Sequence, residues 1–132
     1  MLRYLMNPIV HFEIPFEEKE RAIEFYRKVF GWKIQDMPEM QYVIAHTGET
    51  DEENMLKKPG MINGGMFKRE KPFKGPVLTI DTSDIDKMVK EIKINGGEVL
   101  KPKFQVGDMG YALYFKDTEG NVIGLWENKK KG

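Results

Sequence analysis

Two stretches of this chain carry the same order of structural signals: an apolar strand, an amphipathic helix stopped by glycine, then three more strand-like segments. In the first, Ile9-Val10-His11-Phe12-Glu13-Ile14 leads into a helix ending at Gly31, followed by Trp32 to Asp36, Gln41 to His46 and Gly64 to Lys68. In the second, Val77-Leu78-Thr79-Ile80 leads into a helix over Asp84 to Asn95 with a stop at Gly96-Gly97, followed by Glu98 to Lys101, Tyr111 to Lys116 and Asn121 to Glu127. The repeat lies in pattern, not identity. Either half alone would expose one face of a four-stranded sheet, so the economical arrangement sets both side by side, curled around a cavity where function would sit. The 132 residues suit one domain with a shared core. Its expected parts are module one at about 7–70, a linker at about 69–76 and module two at about 76–128.

The two helices are built alike. Ala22, Ile23, Tyr26, Val29 and Phe30 make one face of the first, with Arg21, Glu24, Arg27 and Lys28 opposite. Ile85, Met88, Val89 and Ile92 make the stripe of the second, and Ser83 with Asp86 three residues on resembles a capping pair. Glu17, Glu18 and Glu20 suit the positive start of the first helix, and Gly31 a left-handed stop. Asp117-Thr118-Glu119-Gly120-Asn121 reads as a hairpin turn between the last two strands. Thr47 to Ile62 reads as a surface loop, and Pro102 to Gly110 as an irregular stretch able to cover a pocket.

Composition narrows the function. Lys plus Arg number 21 and Asp plus Glu 21, so no electrostatic footprint points to nucleic acid or an anionic membrane. No cysteine is present, which removes disulfides, thiolate nucleophiles, zinc fingers and iron–sulfur ligation. No apolar run reaches the ~18 residues of a membrane helix, and the first six residues are too short for a signal peptide. A soluble cytoplasmic protein is the expectation.

His11-Phe12-Glu13-Ile14-Pro15, Ala22 to Trp32, Gly64-Gly65, Asp84-Ile85-Asp86 and Phe115 to Glu127 together resemble the vicinal oxygen chelate superfamily, the glyoxalase, bleomycin-resistance and extradiol-dioxygenase group. The likeness runs from about Asn7 to Asn128. It implies an α+β fold of two tandem βαβββ modules forming a curved, cavity-enclosing mixed sheet, and commonly a homodimer. In metal-dependent members the outer strands of each module supply inward ligands to a divalent cation, a Lewis acid for charge developing on substrate oxygen. Carried onto this chain, those positions are His11, about Met66, about Thr79 and Glu127. Imidazole and carboxylate suit zinc, nickel, manganese or iron, whereas a thioether and a neutral hydroxyl do not. Glu13 shares the strand face of His11, and Asp81 that of Thr79, so either could complete a site.

Each residue has a plainer reading as well. His11 could be a neutral imidazole hydrogen-bonded within the cavity, and Glu127 a solvated strand end, although its parity with Ile123 and Leu125 speaks for an inward side chain. An inward carboxylate beside a neutral histidine could also act as a base without metal. His46 reads as a partly exposed strand end. Met66, Thr79, Trp32, Tyr111 and Met109 are candidate pocket residues, although methionines and aromatics also fill cores. Gly64-Gly65 fits a close approach or a bulge.

The main functional reading is a small-molecule-binding protein with its ligand in the sheet cavity and no cofactor. The alternative is a divalent-metal-dependent lyase or isomerase with His11 and Glu127 as ligands. A binding subunit is a third reading, and a dioxygenase would need a second inward histidine.

Overall fold

The structure, a computed structural model, describes residues 6–49, 51–52 and 60–130. Among the described residues there are eight strands and two α-helices, in the repeated order that the sequence signals. Strand β1 (Ile9–Phe16), helix α1 (Lys19–Phe30), and strands β2 (Lys33–Met37), β3 (Tyr42–His46) and β4 (Gly64–Lys68) form the first module. Strand β5 (Val77–Asp81), helix α2 (Ile85–Ile94), and strands β6 (Glu98–Val106), β7 (Gly110–Lys116) and β8 (Val122–Asn128) form the second. By packing the chain divides into two units, His11–Val77 in one, and the residues up to Val10 with those from Leu78 on in the other. The middle of the Thr47 to Ile62 loop, residues 50 and 53–59, lies outside the described residues.

The first module's strands run in the order β2-β3-β4-β1 and the second's in the order β5-β8-β7-β6. Each set is mixed: β1 pairs parallel with β4 and β5 with β8, while the remaining neighbours are antiparallel. The parallel pairs follow from the helix, because a helical crossover returns the chain in the direction it started.

Each helix covers one face of its own sheet. Ile23 of α1 is buried against Val43 and Met66, with Ile14, Phe16, Ala22, Tyr26 and Ile34 packed around them. Ile85 of α2 is buried against Leu113 and Leu125, and Met88, Val89 and Ile92 all join that cluster, as their spacing predicts. The α1 stripe does less than expected. Val29 and Phe30 are 58% and 59% exposed, because the last turn of α1 carries its apolar residues off the buried cluster. Phe30 instead lies 6.1 Å from the Tyr26 and Trp32 rings.

The helix ends combine expected and unexpected chemistry. Gly31 takes φ 70° and its N–H meets the carbonyls of Arg27 and Tyr26, the left-handed stop anticipated at that glycine. The cap of α2 is Asp84, whose carboxylate accepts the Lys87 N–H at 3.1 Å, one residue later than the expected Ser83. The Asp117–Asn121 turn forms as read. Asp117 Oδ1 accepts the N–H groups of Glu119 and Asn121, both at 2.9 Å, and Gly120 takes φ 87°. The expected irregular stretch from Pro102 is instead largely strand, since β6 reaches Val106. It absorbs Pro102, which has no N–H to give, through register shifts between Lys101 and Phe104.

Candidate functional site

Alternation along β1 separates core from chemistry. Ile14 and Phe16 pack beneath α1, so His11, Glu13 and Pro15 point to the opposite face. In β3 the buried Val43 and Ala45 likewise leave Tyr42, Ile44 and His46 on that opposite face. There Tyr42 reaches across the intervening strand. Its hydroxyl lies 2.8 Å from His11 Nε2, with the two rings stacked at 18° and 6.5 Å apart.

The strand crossed is β4, and the crossing is possible because of Gly65. Glu13, Gly65 and Ile44 form one cross-strand row, while Tyr42 starts two residues away on β3. A Cβ built on Gly65 would lie 1.9 Å from the Tyr42 hydroxyl oxygen and 2.1 Å from its Cζ. Next to it, a Cβ on Gly64 would lie 2.5 Å from the Phe12 carbonyl oxygen. The β1–β4 register is continuous through both glycines, so the pair marks close approach and not a bulge.

The electrostatics favour an uncharged imidazole. Burial pushes the His11 pKa below its ordinary 6.5, and the nearby Glu13 carboxylate offsets this only in part. Glu13 is itself 6% exposed. Either neutral tautomer satisfies the bond to Tyr42, Nε2 donating in one and accepting in the other. His46, read as a strand end, is half-buried, and its Nδ1 is buried without a hydrogen-bond partner among the described residues.

Tyr42 also lines a cleft of about 450 Å³ within the first unit. Phe16, Pro38 and Phe67 give it apolar walls, and Lys19, Asp36, Lys68 and Glu70 charged ones. Lys19 Nζ donates to Asp36 Oδ2 at 2.9 Å, and Lys68 Nζ to the Glu17 carbonyl at 2.5 Å.

The other residues singled out from the sequence fall elsewhere. Glu127 shares its face of β8 with Leu125, which packs on α2, so its parity turns it toward the helix and away from the opposite face. Its carboxylate accepts the Ile85 N–H at 2.8 Å at the start of α2, a place the helix dipole favours for an anion. Met66 is fully buried in the cluster under α1. Trp32 stacks on Tyr26 at 4.7 Å. Tyr111 packs on the second module's core with Lys103 Nζ 4.9 Å over its ring, and Met109 is 60% exposed beyond β6.

Thr79 and Asp81 do occupy the non-helix face of the second module, since Ile80 between them packs toward α2. Thr79 is 6% exposed and pairs with Gly124, where a Cβ would lie 2.9 Å from its Oγ1. Asp81 has its pKa raised by burial, and its main chain accepts from Asn7 Nδ2 at 3.0 Å and donates to the Pro8 carbonyl at 2.8 Å.

The donor set does not fit a metal. Among the described residues no three His, Asp or Glu side chains converge on one point. The sequence reading missed Tyr42. Gly65 was its signal, because a glycine inside a strand marks a place where something comes close.

Residues 8–48 match the model of the bleomycin resistance protein-like N-terminal family. The fold is also that of methylmalonyl-CoA epimerase from Mycobacterium tuberculosis, with a TM-score of 0.60 at 19% identity over 98% of this chain and 94% of that one. A putative glyoxylase, CFP32, of Mycobacterium bovis is 27% identical over 83% of this chain, and the match spans 41% of that protein's length. No described helix is long and apolar enough to cross a membrane. A glyoxylase-like domain-containing protein of Didymella fabae is 32% identical over 89% of this chain and 91% of its own, and with it this chain belongs to the glyoxylase-like family of the vicinal oxygen chelate superfamily.

Proposed function

We propose that this protein binds a small molecule in its first module, at the cleft lined by Tyr42, without a metal ion. The observation that carries this reading is the cleft of about 450 Å³ itself, with apolar walls at Phe16, Pro38 and Phe67 and the Lys19–Asp36 pair fixed at 2.9 Å beside them. Ligand sites are concave and mostly apolar with a few fixed polar groups, and aromatic walls beside a held ion pair have that character. The metal-dependent lyase or isomerase reading needs further donors around His11. Glu127, its intended partner, has a carboxylate that accepts the Ile85 N–H at the start of α2.

The test is a thermal-shift panel of small apolar and aromatic compounds, run beside metal analysis of protein purified without chelator. Stabilisation by panel members is expected, about 2.7 kcal/mol at a hundredfold excess over Kd. That stabilisation should be weakened in Phe67→Ala, which removes an aromatic wall of the cleft. One zinc, nickel, manganese or iron per chain that disappears in His11→Ala would overturn the metal-free reading, as would a panel without effect.

A further inference from the structure

We propose that Gln41 is a ligand-contacting residue of this cleft, and that the group it meets is an amide carried on an apolar body. This rests on the ligand-binding reading given above. Three observations carry it.

The first is a backbone conformation that glutamine does not suit. Met37 pairs with Tyr42, so β2 returns into β3 through the four residues from Pro38 to Gln41. Pro38 to Met40 form one turn of 3-10 helix, and Gln41 closes it with φ 52° and ψ 43°, its N–H donating to the Pro38 carbonyl at 3.0 Å. A hairpin loop that ends in the left-handed region ordinarily places glycine there, because a side chain is crowded by its own backbone. Among the described residues every other positive φ does fall on glycine, at Gly31, Gly60, Gly96, Gly107 and Gly120. Folding alone would favour glycine at position 41 as well.

The second is the side chain. Gln41 lines the cleft, and its amide has no partner among the described residues. Lys19 and Asp36, in the same walls, hold each other at 2.9 Å. A residue held in a costly backbone state, with no side-chain contact inside the fold to offset it, serves something the fold does not contain.

The third is what surrounds that amide. Val43 pairs with Met66, so the start of β3 and the end of β4 lie at one end of the sheet, where Gln41 and Lys68 both line the cleft. Lys68 Nζ gives one N–H to the Glu17 carbonyl and keeps two. Glu70 adds a carboxylate to the same walls. The cleft thus still offers groups of both kinds, N–H donors on Gln41 and Lys68 and acceptor oxygens on Gln41 and Glu70. An amide answers both, since its oxygen accepts and its nitrogen donates, while its apolar body lies against Phe16, Pro38 and Phe67.

Three probes of nearly one shape test this by calorimetry. Benzamide has the oxygen and the N–H, acetophenone the oxygen alone, and α-methylstyrene neither. Gln41→Leu keeps the crowded backbone and removes the amide, so it should melt near wild type and bind benzamide about tenfold more weakly, the loss of one good hydrogen bond. Gln41→Gly removes both, so it should lose the same binding and yet melt about 3 °C higher. α-Methylstyrene should bind all three proteins alike, and acetophenone should lose less than benzamide.

Benzamide binding that is unchanged in both variants would overturn the contact. A Gln41→Gly protein that melts no higher than wild type would overturn the claim that glutamine is held there against its backbone preference. Equal losses for benzamide and α-methylstyrene would mean that Gln41 supplies only a wall, and would overturn the amide. A panel that stabilises the protein while benzamide does not bind removes this inference alone. Silence from panel and probes together removes the function with it.

Discussion

The two modules share a fold and differ in what the faces away from their helices carry. Under the helices they are close equivalents: Ile23, Val43 and Met66 fill one core, and Ile85, Leu113 and Leu125 the other. On the opposite faces the likeness ends. The first module presents His11, Glu13 and Tyr42, with Gly65 leaving space for the tyrosine to cross. The second presents Thr79 and Asp81, and its glycine, Gly124, is occupied by close contact with the Thr79 side chain. A duplicated fold thus repeats the apolar pattern that folding requires and need not repeat the polar groups that chemistry requires.

The sharpest way to break this comparison is at the paired cores. Met66 was a candidate ligand position, yet it is fully buried beneath α1 as Leu113 is in the other core. Met66→Ala and Leu113→Ala should therefore each cost about 3 kcal/mol, the usual range for deleting a large buried side chain. Urea unfolding of both variants measures this. A loss below about 1 kcal/mol for Met66→Ala alone would mean that its sulfur is not a core group and that the cores are not equivalent.

A smaller effect separates His11 from Glu127, the two residues that the sequence reading paired. Glu127 accepts the Ile85 N–H at the start of α2, so Glu127→Ala should destabilise the fold by about 1 kcal/mol, as loss of a helix cap does. It should leave binding of the small apolar and aromatic panel compounds unchanged. His11→Ala should do the reverse in emphasis, weakening the binding that Tyr42 supports. Equal losses of binding in both variants would restore the original pairing and end the contrast between modules.

The difference between what was legible and what was not follows from the same contrast. Element order, the α2 stripe, the Gly31 stop and the Asp117–Asn121 turn are local properties, set by residues within a few positions of one another, and a single sequence carries them. The face on which a strand residue lies is local only up to a choice of sign. Glu127 was assigned inward through its parity with Leu125, but parity says which residues share a face and not which face meets the helix. The packing of Leu125 on Ile85 decides that, and it is a long-range contact. Tyr42 was missed for a related reason. Its bond to His11 spans 31 residues and a whole intervening strand, and only the glycine beneath it hinted that anything passed there. The α1 stripe shows the opposite failure, a correct local period whose last turn has no sheet to lie on.

The smallest expected effect concerns protons, and here the two faces away from the helices should respond with opposite signs. In the first module burial lowers the His11 pKa below 6.5, so just under that pH the unfolded chain binds more protons than the folded one. Stability contributed by neutral His11 is then present above about 6.5 and falls as the pH drops toward the folded value. In the second module burial raises the Asp81 pKa above 3.8, so in the window just above that value the folded chain binds more protons. Stability then falls as the pH rises through that window, and the ionised carboxylate at neutral pH is a net cost. Chemical denaturation across pH 3 to 8 should show His11→Gln flattening the acid side of the profile below about 6.5, the ordinary histidine value. Asp81→Asn should raise stability at neutral pH and leave it unchanged at the acid end, where the carboxyl is already neutral. If Asp81→Asn destabilises the protein at neutral pH, its carboxylate has a stabilising partner, and the second module's face away from the helix is built for charge as much as the first.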